Sequence, residues 1–568
     1  MSTHREPAND LSRRRLLQLS AAAASGSAVS IHLAGSGTAK QDATPEGGPV
    51  DLAAEQILNA ATGTTGASSF TFTPLQGGGD QQNWQTLMWM PPMYFDVEGE
   101  LQPGIFTTWQ PNDEFTVWTF SIDPRAKWSD NTPVTATDVK GTWELMADPL
   151  TQHGRITGYI GDVEGFEAAR SGEAEDMSGL VVIDEQTLEV RLTIPDPVFH
   201  WRMATTHMNP VKIEQAAGAA ESFWLPENSP AVSGPFMLSA YDPDGETAQM
   251  VPNPNWWLDE GPYLTEINFR FVPDQQVVSA LVANNEIAVS LASLPIALAE
   301  QYPDFFRKHK ALGFATFWLN VNAEPTNDIN VRKALTHAVN WEDVFLAAYP
   351  GGVRAERATQ IVDVDLPCID TENEWYAFDP EAATAALAES SYGSAENLPR
   401  IRVSPRSSYP PLQRALEAIL EFWRQNLGIT NVEFKQQPEE YGPDIGNINV
   451  NRDDVVIRFP DTATYMWTAA HSEGPIARPP DGEDAGMLNG YANPDVDALI
   501  DEALLLPTED EARCELSLQA QRLFMEDYPL FLLADEDLYL NARDYVRNYA
   551  KGPDTTLIEP WKIYLAEQ

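Results

Sequence analysis

Trp84, Trp89, Tyr94 and Phe95 fall within a dozen residues, a density of large rings that either fills a core or lines a wall on which a ligand stacks. Two acidic turns, Asp242-Pro243-Asp244-Gly245-Glu246 and Asp481-Gly482-Glu483-Asp484, offer the oxygen ligands that calcium takes. Neither has the spacing of an EF-hand loop, and both read as plain turns. No G-x-S-x-G elbow, H-E-x-x-H pair, Walker lysine loop or dinucleotide glycine fingerprint occurs. The 8 histidines are scattered. No catalytic residue, metal or cofactor is therefore expected. A secreted hydrolase, which needs a nucleophile or a carboxylate pair converging in a cleft, is a distant alternative, and a pure adhesion scaffold is another.

Cys368 and Cys514 are the only cysteines, too few for a disulfide framework or a thiolate metal site. Cys514 falls opposite the apolar stripe Leu516, Ala520, Leu523 and Phe524 of its helix, which favours two free thiols over one bridge.

These residues need elements to hold them. At 568 residues the chain exceeds one hydrophobic core, so two or three domains are expected, and 43% apolar content suffices to build them. Acidic residues number 84 against 36 Lys plus Arg, a formal charge of −48. Such a field repels nucleic acid and anionic lipid, and its self-repulsion is relieved by salt, which suggests a saline source.

Lys127 to Pro149 reads as a turn feeding a helix. Thr135 caps it with Asp138 three residues on, and Val139, Trp143 and Met146 share one face. Phe115 to Ile122 alternates as a strand, and two further strands flank the turn at Asp184-Glu185-Gln186-Thr187. Gly234 in Ser233-Gly234-Pro235-Phe236 reads as a position with a backbone conformation other residues resist. Asp328 caps a helix buried through Val331, Leu335 and Ala338. Leu412, Leu416, Ile419, Trp423 and Leu427 mark a long amphipathic helix ended by Gly428. Asn493-Pro494 starts another, and Thr508 to Glu511 forms a capping box for the last, which ends near Asp527-Tyr528-Pro529.

The order of these segments resembles a known family. Trp128-Ser129-Asp130-Asn131-Thr132-Pro133 through Asp138-Val139 is similar to the W-S-D-G-x-P-x-T-A-x-D-V block of family 5 extracellular solute-binding proteins, which serve peptide-type ABC transporters. Asn131 stands where that family usually has Gly. Ser233 to Phe236, Asn253-Pro254-Asn255-Trp256-Trp257, Pro262-Tyr263-Leu264 through Asp274, the Asp328 to Leu335 element and the Asn493 to Ile500 element resemble later blocks in the same order. Asn285-Glu286-Ile287-Ala288 departs from the family's G-e-i-D by lacking the Asp.

The resemblance implies an α/β, two-lobed periplasmic-binding-protein-like fold of type II, with the extra subdomain of the large peptide-binding class and mixed sheets flanked by helices. Its boundaries would be residues 67–315 for lobe 1, with an inserted subdomain over about 100–230, residues 316–535 for lobe 2, and a return to lobe 1 over 536–568. The first crossover is placed near 312–322. It implies a small peptide as ligand, captured by lobe closure and delivered to an ABC permease and its ATPase subunits by a monomer. An oligosaccharide docked on aromatic faces is the alternative.

In relatives an Asp near a W-x-x-D-Y-x-D-P segment pairs with the ligand's amino terminus. The corresponding stretch here, Arg458 to Trp467, departs from that pattern, and Asp461 is the best candidate, with Arg458, Tyr465 and Trp467 available to pair or stack. The expected ligand-binding set is thus Trp84, Trp89, Tyr94, Arg458, Asp461, Tyr465 and Trp467.

Ser12-Arg13-Arg14-Arg15-Leu16-Leu17 and the mild apolar run to about Leu33 look like a twin-arginine export signal over 1–34. Leu33-Ala34-Gly35-Ser36 resembles a lipobox with Ser at the acylated position, so lipid attachment at Ser36 is chemically excluded. Residues 35–66 have the composition of a flexible linker. An exported protein in the periplasm or at the outer face of the cell membrane is expected.

Overall fold

The computed structural model describes residues 51–567 apart from 63–71, 74, 76–80, 152, 154–155, 217–220, 292–300, 351–354, 362–365, 374, 406–409, 457–459, 475, 478–488 and 553–555. The expected export signal, the lipobox-like run, the second acidic turn and Arg458 lie outside the described residues.

One 11-stranded mixed sheet runs through the molecule. Its strands are β1 (Ile57–Thr62), β2 (Phe236–Asp242), β3 (Thr247–Pro252), β4 (Glu266–Phe271), β5 (Val289–Ser290), β6 (Phe306–Leu319), β7 (Ala355–Arg357), β8 (Ile401–Ser404), β9 (Val432–Phe434), β10 (Val450–Val456) and β11 (Leu530–Ala542). Their order is β9-β8-β10-β6-β11-β5-β1-β4-β3-β2, with β7 paired to β11 off this path. A separate four-stranded antiparallel sheet holds Phe106–Pro111, Val117–Ile122, Leu180–Asp184 and Thr187–Arg191.

β1 corrects the flexible-linker expectation for residues 51–62. The Gly, Ala, Thr and Ser of residues 35–66 read together as tether, yet Ile57-Leu58-Asn59-Ala60-Ala61-Thr62 within them is an inner strand, parallel to both β4 and β5. Ala60 and Ala61, on opposite faces of the strand, are both buried, each in a different apolar cluster.

Most buried apolar side chains gather in two large clusters. One spans Leu58 to Leu291 and resumes from Leu540 to Leu565; the other spans Ala315 to Ala534. β6 and β11 are long enough to serve both. They pair from Phe306↔Asn541 to Trp318↔Leu530, and the register slips between Lys310 and Phe314 and again between Ala315 and Thr316. Such irregularities weaken the ladder and bend strands, and they fall where the pair passes from one core to the other.

The helix Ala136–Ala147 starts as the sequence predicts, with a capping box between Thr135 and Asp138, and it buries Val139, Trp143 and Met146. Trp128 is fully buried, and Asn131 has φ +70°, a left-handed conformation that asparagine tolerates better than most residues and glycine better still. Gly234 is required for space rather than for an unusual φ: a Cβ there would lie 2.5 Å from the carbonyl carbon of Met88. The last long helix, Glu511–Glu526, is capped by Asp510, not Thr508, because the Asp510 carboxylate accepts the Ala512 N–H. Among the described residues no helix is long and apolar enough to cross a membrane.

His200 gives this fold an acid-sensitive point. Its ring is stacked between Trp118, at 4.7 Å, and Trp109, at 6.2 Å, and its Nδ1 is shut away from solvent without a hydrogen-bond partner. Burial pushes its pKa from 6.5 down to about 3. The unfolded chain therefore binds a proton that the folded one refuses between those two values, and stability contributed by this site is lost as pH falls below 6.5. Cation–π attraction to the two tryptophans offsets part of the penalty. The expected loss by pH 4.5 is about 2 kcal/mol, checked by comparing denaturant midpoints of wild type and His200→Phe at pH 7 and 4.5. An equal acid loss in both proteins would remove His200 as the cause.

Candidate functional site

Strand direction locates the site. β5 is antiparallel to β11, with Val289↔Ala542 and Ser290↔Asn541, so β5 points down β11 toward Asp535. β1 and β4 are parallel to β5 and end the same way, at Thr62 and Phe271. From the other side, β10 is antiparallel to β6, running from Val450↔Leu319 to Val456↔Gly313. β8 and β9 are parallel to it. The carboxyl ends of six strands, three from each core, thus aim at the slipped stretch of β6 and β11. In open α/β sheets ligands bind in the crevice outside the carboxyl ends of strands.

The first-core wall is built from beneath. The Trp84 indole N–H donates to Thr62 Oγ1 at 3.3 Å, and its ring packs on Phe269 and Phe271 with centroids 3.9 and 5.6 Å away. It supports the ends of β1 and β4. Trp89 is also fully buried, edge-on to Trp224. Tyr94 donates its hydroxyl to Glu559 at 2.9 Å, and burial beside that carboxylate raises its pKa well above the usual phenol value. It lines a crevice with Thr86, Thr206 and Trp561 that encloses about 20 Å³. That is room for one water. Of the rings expected on a ligand wall, Trp84 and Trp89 are core side chains and Tyr94 closes a crevice too small for a peptide or a sugar.

On the second core, Asp461 caps the helix Thr462–Ala470, accepting the Thr464 N–H at 2.8 Å. Its two oxygens also accept Arg513 Nε at 3.1 Å and Nη2 at 2.6 Å, and both side chains are buried. The carboxylate expected to meet a ligand's amino group is turned inward onto a guanidinium instead. Tyr465 is buried, and Trp467 is half-buried with its ring on His471. The seven expected residues are therefore carried by two different cores, three supporting one and three on a single helix of the other, with Arg458 outside the described residues.

Sequence reasoning missed the rim at the ends of β8 and β9. Phe434 is 42% exposed there, and the Lys435 ammonium lies 4.6 Å from the centre of the Tyr441 ring. The Tyr441 hydroxyl accepts the Val403 N–H at 3.1 Å and lies within hydrogen-bond reach of the Val403 and Glu433 carbonyls. It ties the two strand ends together. The one sequence signal for this element is the β-prone run Val432-Glu433-Phe434 that follows Gly428.

Residues 100–475 match the family model of bacterial extracellular solute-binding proteins, family 5, middle part. The chain belongs to that family. It is 24% identical over 486 residues to the periplasmic oligopeptide-binding protein OppA of Salmonella typhimurium, covering 82% of each chain. It is 24% identical over 479 residues to the dipeptide-binding protein of Escherichia coli, covering 80% of this chain and 84% of that one. Among solved structures, the unliganded open form of the murein tripeptide-binding protein MppA superposes with a TM-score of 0.74 at 20% identity, covering 92% of this chain and 99% of that one. Haemophilus influenzae OppA in complex with the peptide RPPGFSPFR gives 0.69 at 20% identity, with 91% and 100% covered. The fold is thus the two-lobed α/β arrangement of these binding proteins, the two cores are its lobes, and β6 and β11 join them.

Proposed function

We propose that the protein captures a short peptide outside the cytoplasm, by closing its two lobes on it, and delivers it to the membrane permease of an ABC importer whose ATPase subunits are other chains. The observation that carries this reading is the convergence of strand ends from both lobes on the slipped stretch of β6 and β11, in a chain similar to peptide binders over four-fifths of its length. A ligand held there touches both lobes at once, so it favours the closed state in proportion to the contacts it makes only when closed. The protein acts as a carrier without turnover, monomeric, exported through its twin-arginine signal and free of lipid at Ser36. The lobes are assigned as 67–315 and 316–535, with 536–568 returning to the first and β1 added to it.

The oligosaccharide alternative loses its main support, because Trp84 and Trp89 are buried rather than displayed. Thermal melting with di- to pentapeptides and with maltotriose separates the two. Peptides at a hundredfold excess over Kd are expected to stabilise the protein by about 2.7 kcal/mol. Stabilisation by maltotriose alone would overturn the peptide reading.

The charge of −48 supports a saline habitat. Screening shortens from about 30 Å at 0.01 M salt to about 3 Å at 1 M, so self-repulsion should fall and the melting temperature rise by several degrees across that range. Equal melting at both concentrations would dismiss the saline reading.

A further inference from the structure

Three short chain segments meet at one point in the second lobe, and each pair of them is joined by a different kind of link. Asp461 forms the buried ion pair with Arg513. Cys514, the next residue after Arg513, forms a disulfide with Cys368. Pro367, the residue before Cys368, accepts through its carbonyl a hydrogen bond from the hydroxyl of Thr462, the residue after Asp461. The pairs 461–462, 513–514 and 367–368 thus close a triangle with one ionic, one covalent and one hydrogen-bonded side. Gln521 reinforces it, donating to the Cys368 carbonyl at 2.8 Å and accepting the Asp370 N–H at 3.2 Å.

The segment before Cys368 leads back to the joint between the lobes. β7 pairs with β11 through Ala355↔Glu536 and Arg357↔Ala534, and the Ala358 N–H donates to the Leu533 carbonyl, where the β6–β11 register slips. The segment before Thr462 leads to the ligand crevice, since Val456 ends β10 five residues before Asp461. The junction therefore stands between the interlobe strands and the second-lobe wall. Apolar packing already fills this core through Met466, Ala469, Phe524 and Met525. A buried ion pair adds little net stability over apolar side chains of the same volume, but it tolerates only one geometry.

We infer that this three-way junction is a positioning device for the ligand wall: it fixes where the chain leaving β10 enters the helix Thr462–Ala470, and ligand affinity depends on that position. The inference rests on the reading of the interlobe crevice as the ligand site. Asp461, Arg513, Thr462 and the two cysteines are positioning residues that need not touch ligand.

The test uses the full chain as wild type, the double variant Cys368→Ser/Cys514→Ser, and Thr462→Val beside Thr462→Ser, which keeps the hydroxyl. Hydrogen exchange is followed without ligand, and tetra-alanine is then titrated. Amides of residues 464–467 should exchange at least tenfold faster in the double variant and in Thr462→Val, beyond any change in the helix Pro494–Leu504, and Thr462→Ser should match wild type. Tetra-alanine should bind at least threefold more weakly to the first two variants and unchanged to the third. Exchange that rises evenly over the second lobe, or not at all at 464–467, would overturn the inference, as would an unchanged affinity where wild type binds. A wild type that ignores tetra-alanine counts against the peptide reading, while the exchange arm, which needs no ligand, still decides the junction.

Discussion

Replacing Arg513 with alanine is expected to lower the unfolding free energy by about 3–5 kcal/mol, the cost of stranding a buried charge. The guanidinium is only 3% exposed and its carboxylate partner 8%. Four of the guanidinium's five N–H groups are used: besides the two bonds to Asp461, Nη1 donates to the carbonyls of Ala503 at 2.7 Å and Leu506 at 2.6 Å. Those carbonyls lie near the end of the helix Pro494–Leu504, so the same side chain caps one helix while neutralising the cap of another. Removing it leaves Asp461 with the Thr464 N–H and hydroxyl alone. Urea denaturation followed by tryptophan fluorescence would measure the loss. A change below about 1 kcal/mol would place the pair with solvated surface bridges instead. The double variant Arg513→Met/Asp461→Leu should recover only part of the loss: two apolar side chains need no partner, but the Thr464 N–H and the Ala503 and Leu506 carbonyls lose theirs.

The same helix shows why part of the site was hidden in the sequence. The stripe Leu516, Ala520, Leu523 and Phe524 placed Cys514 on the wet side, but the buried face is Arg513, Ser517, Ala520, Gln521, Phe524 and Met525. Half of that face is polar, and apolar periodicity cannot register a side that is buried through an ion pair and an amide. The expectation of free thiols failed for this reason: Cys514 borders the face that packs inward, and Cys368, at φ +63°, meets it with Cα atoms 5.2 Å apart.

Elements whose burial is apolar were legible. The capping box at Thr135, the face Val139, Trp143 and Met146, and the stripe Leu412, Leu416, Ile419 and Trp423 are all found where the periodicity puts them. The strand pair around the turn at 184–187 is likewise a hairpin, Leu180–Asp184 with Thr187–Arg191. What sequence order alone does not carry is adjacency. Thr62, Phe271, Ser290, Ser404, Phe434 and Val456 end strands far apart in the chain, and only the sheet order shows that they end at the same place. The rings Trp84 to Tyr94 stand out by density, yet density of aromatics is equally what a core needs, and here the core takes Trp84 and Trp89.

Loss of the Cys368–Cys514 bond is the second large effect. The bond closes a loop with a sequence separation of 146. Chain entropy for such a loop gives about 5 kcal/mol as the ideal contribution, and measured bridges commonly deliver about 2–4. Other contacts also hold this segment: Gln521 bonds the Cys368 carbonyl and the Asp370 N–H, and Arg522 faces Asp370 at 3.3 Å. The loss should have two parts: the unfolded chain gains freedom once the loop opens, and in the folded lobe the junction at Asp461 and Thr462 loses one of its three links. Two readouts follow for the Cys368→Ser/Cys514→Ser variant: a lower urea midpoint and a steeper denaturant dependence, because a longer free chain exposes more surface on unfolding. Arg513→Ala, which acts on the folded state, should lower the midpoint with little change in slope. Combining the two tests whether neighbouring positions in the helix serve one structure. If the junction is a single unit, the losses will not add, and the coupling will be about 0.5–3 kcal/mol. Strict additivity would mean that the ion pair and the disulfide are separate supports that happen to be adjacent.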